Sequence, residues 1–252
     1  MAVEVVLPGE EIPPSLLPTS KNADKPLKLG PGVRHTPPST ITATVAGTLN
    51  VDSKKNGVWV EYNSGRYMPH TNDLVIAQVH HSSTDAYHCA LTPHTPCATL
   101  PHLAFENATK KTRPILAPGA LVYARVAAAS KHMDPELECL SATTGKADGL
   151  GPLKGGMVFD VSPAMARRLL MPPPKKDAAA EDGGPGRVVV LEALAERVRF
   201  EMAVGRNGRV WVESDEGVKV VLAVGRALQE ADREGLGVDG QRDVVAKVLK
   251  TL

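Results

Sequence analysis

The sequence predicts a multidomain chain, mostly β, that ends in an α+β module. Three observations predict it. Apolar or small residues recur at every second position through Ile41, Ala43, Val45, Gly47, Leu49 and Val51, the period of a half-buried strand. Between 67 and 148, five short strand-like runs are separated by turns rich in Pro, Gly, Ser and Asp. After Leu150 the pattern becomes strand, helix, helix, strand, strand, helix. The composition agrees: 22 Gly, 21 Pro and 4% aromatic residues in 252 favour short elements and tight turns over long helices.

In chain order, residues 1–29 read as an N-terminal extended segment. Its apolar head, Val3 to Glu10, is either a single strand or an extended docking peptide, and its polar tail reads as a tether. Residues 30–66 form an N-terminal β domain. The alternating run from Thr40 to Asp52 is one strand, Lys54-Lys55-Asn56-Gly57 a turn, and Val58 to Tyr62 the returning strand. Such a unit is small enough to need a neighbour or a partner.

Residues 67–148 hold the five strands: Asp73 to His81, Ala86 to Leu91, Leu100 to Phe105, Ala120 to Ala129 and Glu136 to Ala142. Five short strands with one long loop after the third is the layout of an OB-type Greek-key barrel, a platform for single-stranded nucleic acid. The long loop, Glu106 to Pro114, carries Lys110, Lys111 and Arg113. These are candidate phosphate contacts, set against the plainer reading of lysines that blunt a sheet edge. His80, Tyr87 and His88 are candidate stacking or polar groups on the barrel's binding face. His80, His81, His88, Cys89, His94, Cys97 and His102 crowd the same region. They lack metal-ligand spacing, and the adjacent His88 and Cys89 point to opposite faces of one strand, so no metal is expected.

Residues 150–252 read as a KH domain. Met157 to Val161 is a strand, and Ser162-Pro163 starts a helix as N-cap followed by Pro. Pro172-Pro173-Pro174 stops that helix and a polar insert spans 172–186. A second helix covers Val188 to Arg197. A hairpin runs from Val198 through Gly205-Arg206-Asn207-Gly208 to Arg209, Val210 and Trp211. Ser214 then caps a helix with Val218, Val221, Leu222, Gly225 and Leu228 inward, and a last helix carries Val244, Val245, Val248, Leu249 and Leu252. The G-R-N-G stretch also fits the GxxG loop with which KH domains clamp a nucleic-acid backbone. That loop joins two helices, whereas this one joins two strands. The structural reading is preferred: an Asn-Gly turn with positive φ that sets Gly205, Asn207, Gly208, Arg209 and Trp211 in a core or against the barrel.

The formal net charge of +1 supplies no global pull toward nucleic acid, so any RNA contact must be local. Three cysteines without a CxxC pair imply a reducing compartment. With no long apolar run and no charged leader, a soluble intracellular protein without a membrane partner is expected. No G-x-S-x-G, metal triad or P-loop is present, so neither catalysis nor a cofactor is expected. The competing expectation is a free-standing regulator that binds single-stranded RNA through OB and KH modules.

Five stretches carry a resemblance: V-V-L-P-G-E-E at 5–11, G-P-G at 30–32, L-A-F-E-N-A-T-K-K at 103–111, D-P-E-L-E-C at 134–139 and G-R-N-G-R-V-W-V at 205–212. With an S1-type OB barrel before a KH domain, the chain resembles the S1/KH cap subunits of the eukaryotic RNA exosome, of the ribosomal RNA-processing protein forty type. The insert at 172–186 and the Pro- and His-rich loop at 92–99 depart from that pattern. The resemblance implies a role without catalysis. Its members sit with other cap subunits on a ring of RNase PH-like subunits and line the entrance that threads RNA toward a separate nuclease. It also implies rRNA processing and RNA degradation in nucleus, nucleolus and cytoplasm.

Overall fold

The computed structural model describes residues 4–18, 26–52, 56–63, 66–93, 95–130, 132–171 and 188–250. The readings made for Lys54 and Lys55, His94, Pro172 to Pro174, the insert at 172–186 and Leu252 lie outside the described residues. The chain divides into two compact units, 1–64 and 65–252.

The first unit is built from β1 (Val5–Val6), β2 (Lys28–Leu29), β3 (Val33–Thr36), β4 (Thr40–Ala43), β5 (Gly47–Asp52) and β6 (Gly57–Glu61). One sheet has the order β1-β5-β6-β2, and β3 and β4 form a separate hairpin. The expected single strand from Thr40 to Asp52 is therefore two strands, bent at residues 44–46. The alternation runs on across the bend because both strands turn their apolar side to one core, in which Ala43, Val45 and Leu49 meet Val6 and Val60. The period reports which side is buried, not whether the strand is straight. Gly47 makes the second strand possible: a Cβ there would lie 2.2 Å from the Glu61 carbonyl oxygen. Val51, read as inward, faces solvent. The N-terminal head takes its strand option, with Val5 and Val6 paired to Thr48 and Gly47.

In the second unit the barrel comprises β7 (Leu74–Ser82), β8 (Ala86–Ala90), β9 (Ala98–Pro101), β10 (Leu121–Ser130) and β11 (Met133–Glu138). The order β11-β9-β8-β7-β10 closes on itself through a β10–β11 pairing. Val75, Ala77, Val79, Leu100, Val122 and Leu137 fill the interior. The third strand begins earlier than expected and ends at Pro101. Phe105 makes only an isolated bridge to Cys139. A short strand β12 (Gly151–Leu153) pairs with β10, so the connection onward from the barrel is part of its sheet.

The last module runs β13 (Met157–Asp160), α1 (Pro163–Leu169), α2 (Val190–Ala195), β14 (Glu201–Gly205), β15 (Arg209–Glu213), α3 (Val218–Arg233) and α4 (Val238–Leu249). Its antiparallel sheet has the order β13-β15-β14. Ser162 caps α1 as expected, its Oγ accepting from the Met165 N–H at 3.1 Å. Two expectations fail around α3. The residue before the helix is Gly217, at φ 107°, and Ser214 caps nothing. Its hydroxyl donates to the Arg199 carbonyl at 2.6 Å and accepts from the Glu216 N–H, so it is spent on the turn leaving β15. Starting three residues later, the helix buries Val220, Val221 and Val224 and leaves Val218 66% exposed. Among the described residues no helix is long and apolar enough to cross a membrane.

Candidate nucleic-acid interface

The hairpin between β14 and β15 is where the module meets the barrel. Gly205 pairs with Arg209, the Gly208 N–H bonds the Gly205 carbonyl at 3.1 Å, and Gly208 has φ 78°. The loop therefore has three residues and ends in one left-handed glycine. This corrects the expected Asn-Gly turn, because Asn207 is not among the positive-φ residues. The difference frees the Asn207 side chain for another task.

Asn207 is 6% exposed, and its side chain meets the barrel backbone. Its Oδ1 accepts from the Ile76 N–H at 3.2 Å, and its Nδ2 donates to the carbonyls of Ile76 at 2.9 Å and Leu91 at 2.7 Å. Strand β8 ends at Ala90, opposite Gln78 on β7. Beyond that end, the carboxamide serves Ile76 as a short piece of neighbouring strand. The Arg206 N–H continues the row to the Leu74 carbonyl at 2.6 Å. Arg209 donates to the Ala90 carbonyl at 3.4 Å and lies 3.9 Å from the Asp160 carboxylate. Tyr123 Oη donates to the Val204 carbonyl at 3.2 Å. Trp211 is 5% exposed and packs with Ile76 and Ala203, while its Nε1 donates to the Gly155 carbonyl at 3.0 Å. A Cβ on Gly205 would meet the Ile76 nitrogen at 2.7 Å, and one on Gly208 the Val161 carbonyl oxygen at 2.6 Å. No room is left in this turn for a phosphate.

The other candidate contacts lie on the barrel. In the loop after β9, Thr109 and Thr112 bond each other hydroxyl to hydroxyl at 2.8 Å. The Thr112 hydroxyl also donates to the Asn107 carbonyl at 3.2 Å. The Arg113 N–H returns to the Thr109 carbonyl at 3.0 Å. Lys110 and Lys111 form the tip of this tight turn and are exposed. Arg113 is not grouped with them. It is half-buried, and its guanidinium bonds His102 Nδ1.

Tyr87, read as a surface stacking group, is a correction. It is 4% exposed, its hydroxyl donates to the Pro114 carbonyl at 2.8 Å and accepts from the Leu116 N–H at 3.3 Å. The returning loop covers it. His80 is exposed and His88 half-buried; sequence reasoning named His81 only in the histidine and cysteine cluster and missed its place beside His88. A β-bulge at His80 sets His81 opposite His88, with ring centroids 4.5 Å apart and planes 15° from parallel. His80 Nδ1 lies 3.0 Å from His81 Nδ1. A bulge of one residue leaves no mark in an alternating pattern. Cys89, on the opposite face from His88, lines the core. Burial, with the nearby Cys97 thiol adding to it, pushes its pKa up to about 12; burial, with Cys89, does the same for Cys139. No group of three potential metal ligands converges among the described residues.

Comparison with known proteins assigns each module. Residues 67–151 match the family model described as exosome complex component RRP40, S1 domain, and residues 27–66 the exosome complex exonuclease Rrp40 N-terminal domain. Residues 156–218 match a KH domain. Exosome complex component RRP40 of Saccharomyces cerevisiae is 37% identical over 89% of this chain and 87% of its own length. The Schizosaccharomyces pombe component is 39% identical over 85% and 83%, and that of Drosophila melanogaster 35% over 92% and 90%. A crystal structure described as a candidate exosome complex RNA-binding protein shares the fold. It superposes with a TM-score of 0.54 at 20% identity, over 73% of this chain and 96% of that one. With its barrel, its KH module and the hairpin that joins them accounted for, the chain belongs to the family of exosome complex component RRP40.

Proposed function

We propose that this chain is a non-catalytic cap subunit of an RNA exosome. In this role it helps to hold a ring of RNase PH-like subunits together beside other cap subunits. It also guides single-stranded RNA into the channel for 3′-to-5′ processing and decay. The observation that carries the reading is the division of labour in the second unit. The G-R-N-G turn is consumed by protein contacts, while Lys110 and Lys111 stand free on the barrel. A sequence-blind pair of cations suits a conduit, because phosphate contacts position a strand without reading it. On the barrel, Lys110, Lys111 and His80 are exposed groups of the kind that meet phosphates and bases, and burial keeps the Cys89 and Cys139 thiols in the unreactive protonated form. Sites of action in nucleus, nucleolus and cytoplasm belong to the same proposal, and imaging of a tagged chain checks them.

Reversing both charges, Lys110→Glu with Lys111→Glu, tests the role of the loop. The salt dependence of RNA binding should flatten by roughly 0.7 per lost contact. Crosslinking to RNA should weaken while co-elution with ring subunits on size exclusion persists. Loss of co-elution with unchanged crosslinking would assign the loop to a protein interface instead.

A further inference from the structure

His102 begins the loop that ends at Leu116 and sits beneath it. It is 4% exposed and its ring lies 4.3 Å from that of Tyr87. Its backbone N–H bonds the Asp85 carbonyl at 3.0 Å, Nε2 lies 3.2 Å from Ser82 Oγ, and Nδ1 meets the Arg113 guanidinium. The chemistry of these partners settles the proton. A guanidinium has only N–H groups and no lone pair to offer, so Nδ1 must be the unprotonated, accepting nitrogen. The one proton of a neutral imidazole is then on Nε2, where it donates to Ser82. A second proton would have to sit between Nδ1 and an arginine, like charge against like charge in a buried place.

We propose that His102, held neutral with its proton on Nε2, is the latch that positions the basic loop, and that protonating it expels Arg113 and loosens the Lys110–Lys111 tip. Arg113 is then a positioning residue and not a third phosphate contact. The charged groups facing the ring are Arg113 and Asp85. Burial first, and Arg113 second, lower the pKa of His102 below that of an ordinary histidine, with Asp85 opposing. The latch therefore stays closed through neutral pH and opens only on acidification. Three features make it local. Tyr87 ties the far end of the loop through Pro114 and Leu116, the two threonines close its middle, and His102 with Arg113 spans the remaining gap. The positional claim for RNA rests on the proposed function; the latch itself does not.

The test is a double-mutant cycle on the full chain with two readouts. Arg113→Met removes the donor, and His102→Phe removes the acceptor while keeping a ring against Tyr87. Amide-exchange protection at Thr112 and Arg113, normalised for intrinsic rates, should fall on the order of tenfold in each single variant, the size expected for one charged hydrogen bond. The double variant should fall no further. Wild-type protection should drop toward the same level as His102 titrates, and its imidazole ¹⁵N shifts at neutral pH should report a single Nε2–H form. Protection unchanged in Arg113→Met, which alters only a loop side chain, would overturn the latch, as would additive losses. RNA crosslinking is the second readout. If Arg113 only positions, His102→Phe lowers crosslinking as much as Arg113→Met although no charge has been removed. If crosslinking falls in Arg113→Met alone, Arg113 touches phosphate and the assignment fails. Should both variants loosen the loop while the Lys110 and Lys111 reversals leave crosslinking unchanged, the latch stands and the RNA role of the loop falls.

Discussion

The carboxamide of Asn207 acts as a peptide group supplied by a side chain, and its replacement has a definite cost. Asn207→Ala strips one donor and two acceptors of the barrel backbone of their buried partner. Each orphaned group costs about 1–3 kcal/mol, so a loss of about 3 kcal/mol or more is expected in urea unfolding of the full chain. Asn207→Asp keeps the shape but loses both donated bonds, and should fare no better. Trp211→Ala, which empties a buried aromatic site, is expected to cost about 3–5 kcal/mol. Thermal melts matching the parent would instead make Trp211 a ligand platform. The thiols allow a further check. With the pKa of Cys89 and of Cys139 pushed up to about 12, almost no thiolate is present near neutrality. Iodoacetamide should modify Cys97 in the native chain and reach the other two only after unfolding, as read by peptide mass spectrometry. Equal labelling of all three would refute this.

Among the elements, α3 and α4 each carry a glycine inside the helix, and the two should respond oppositely to alanine. Alanine gains up to about 1 kcal/mol of helix propensity over glycine. At Gly225 a Cβ would stand 2.2–2.4 Å from three ring carbons of Phe159, itself held in the core under α3. Overpacking of that kind costs about 1–3 kcal/mol, so the clash wins and Gly225→Ala destabilises. At Gly240 the nearest atoms belong to the Leu236 side chain, at 3.2–3.6 Å, and a small rotation relieves them. Gly240→Ala should raise the melting temperature, and a matching drop in both variants would show that the Phe159 contact is not what decides. Local chemistry predicted the start of α1 because Ser162 and Pro163 act within one turn. It mispredicted the start of α3 because Ser214 found a longer-range partner in the Arg199 carbonyl.

For the second unit as a whole, barrel and KH module should move together. The connection between them is itself a strand of the barrel sheet, and the hairpin tip is bonded along β7. A seam of that kind leaves no flexible linker to decouple the two. Backbone ¹⁵N relaxation should therefore give one rotational correlation time for residues of β7–β11 and of α3–α4. Two distinct times would show that the seam opens in solution.

For the barrel strands and the last module the sequence by itself determined the element order, because periodicity, turn residues and caps act over a few neighbours; in the first unit it ran β4 and β5 together and left β2 and β3 unread. The period of two across β4 and β5, the Ser162-Pro163 helix start and the apolar faces of α3 and α4 were all legible in this way. It also marked Asn207, Gly208 and Trp211 as structural, since a GxxG between strands is in the wrong place to clamp RNA. Only the tertiary structure decided where those side chains spend their bonds. Asn207 and Ile76 lie 131 residues apart, and nothing local to either names the other. The same limit hid the cover over Tyr87, the bulge that stacks His81 on His88, and the tie from Arg113 to His102. A tyrosine or arginine in a loop reads as a ligand group until the fold shows that another part of the chain has already taken its polar atoms.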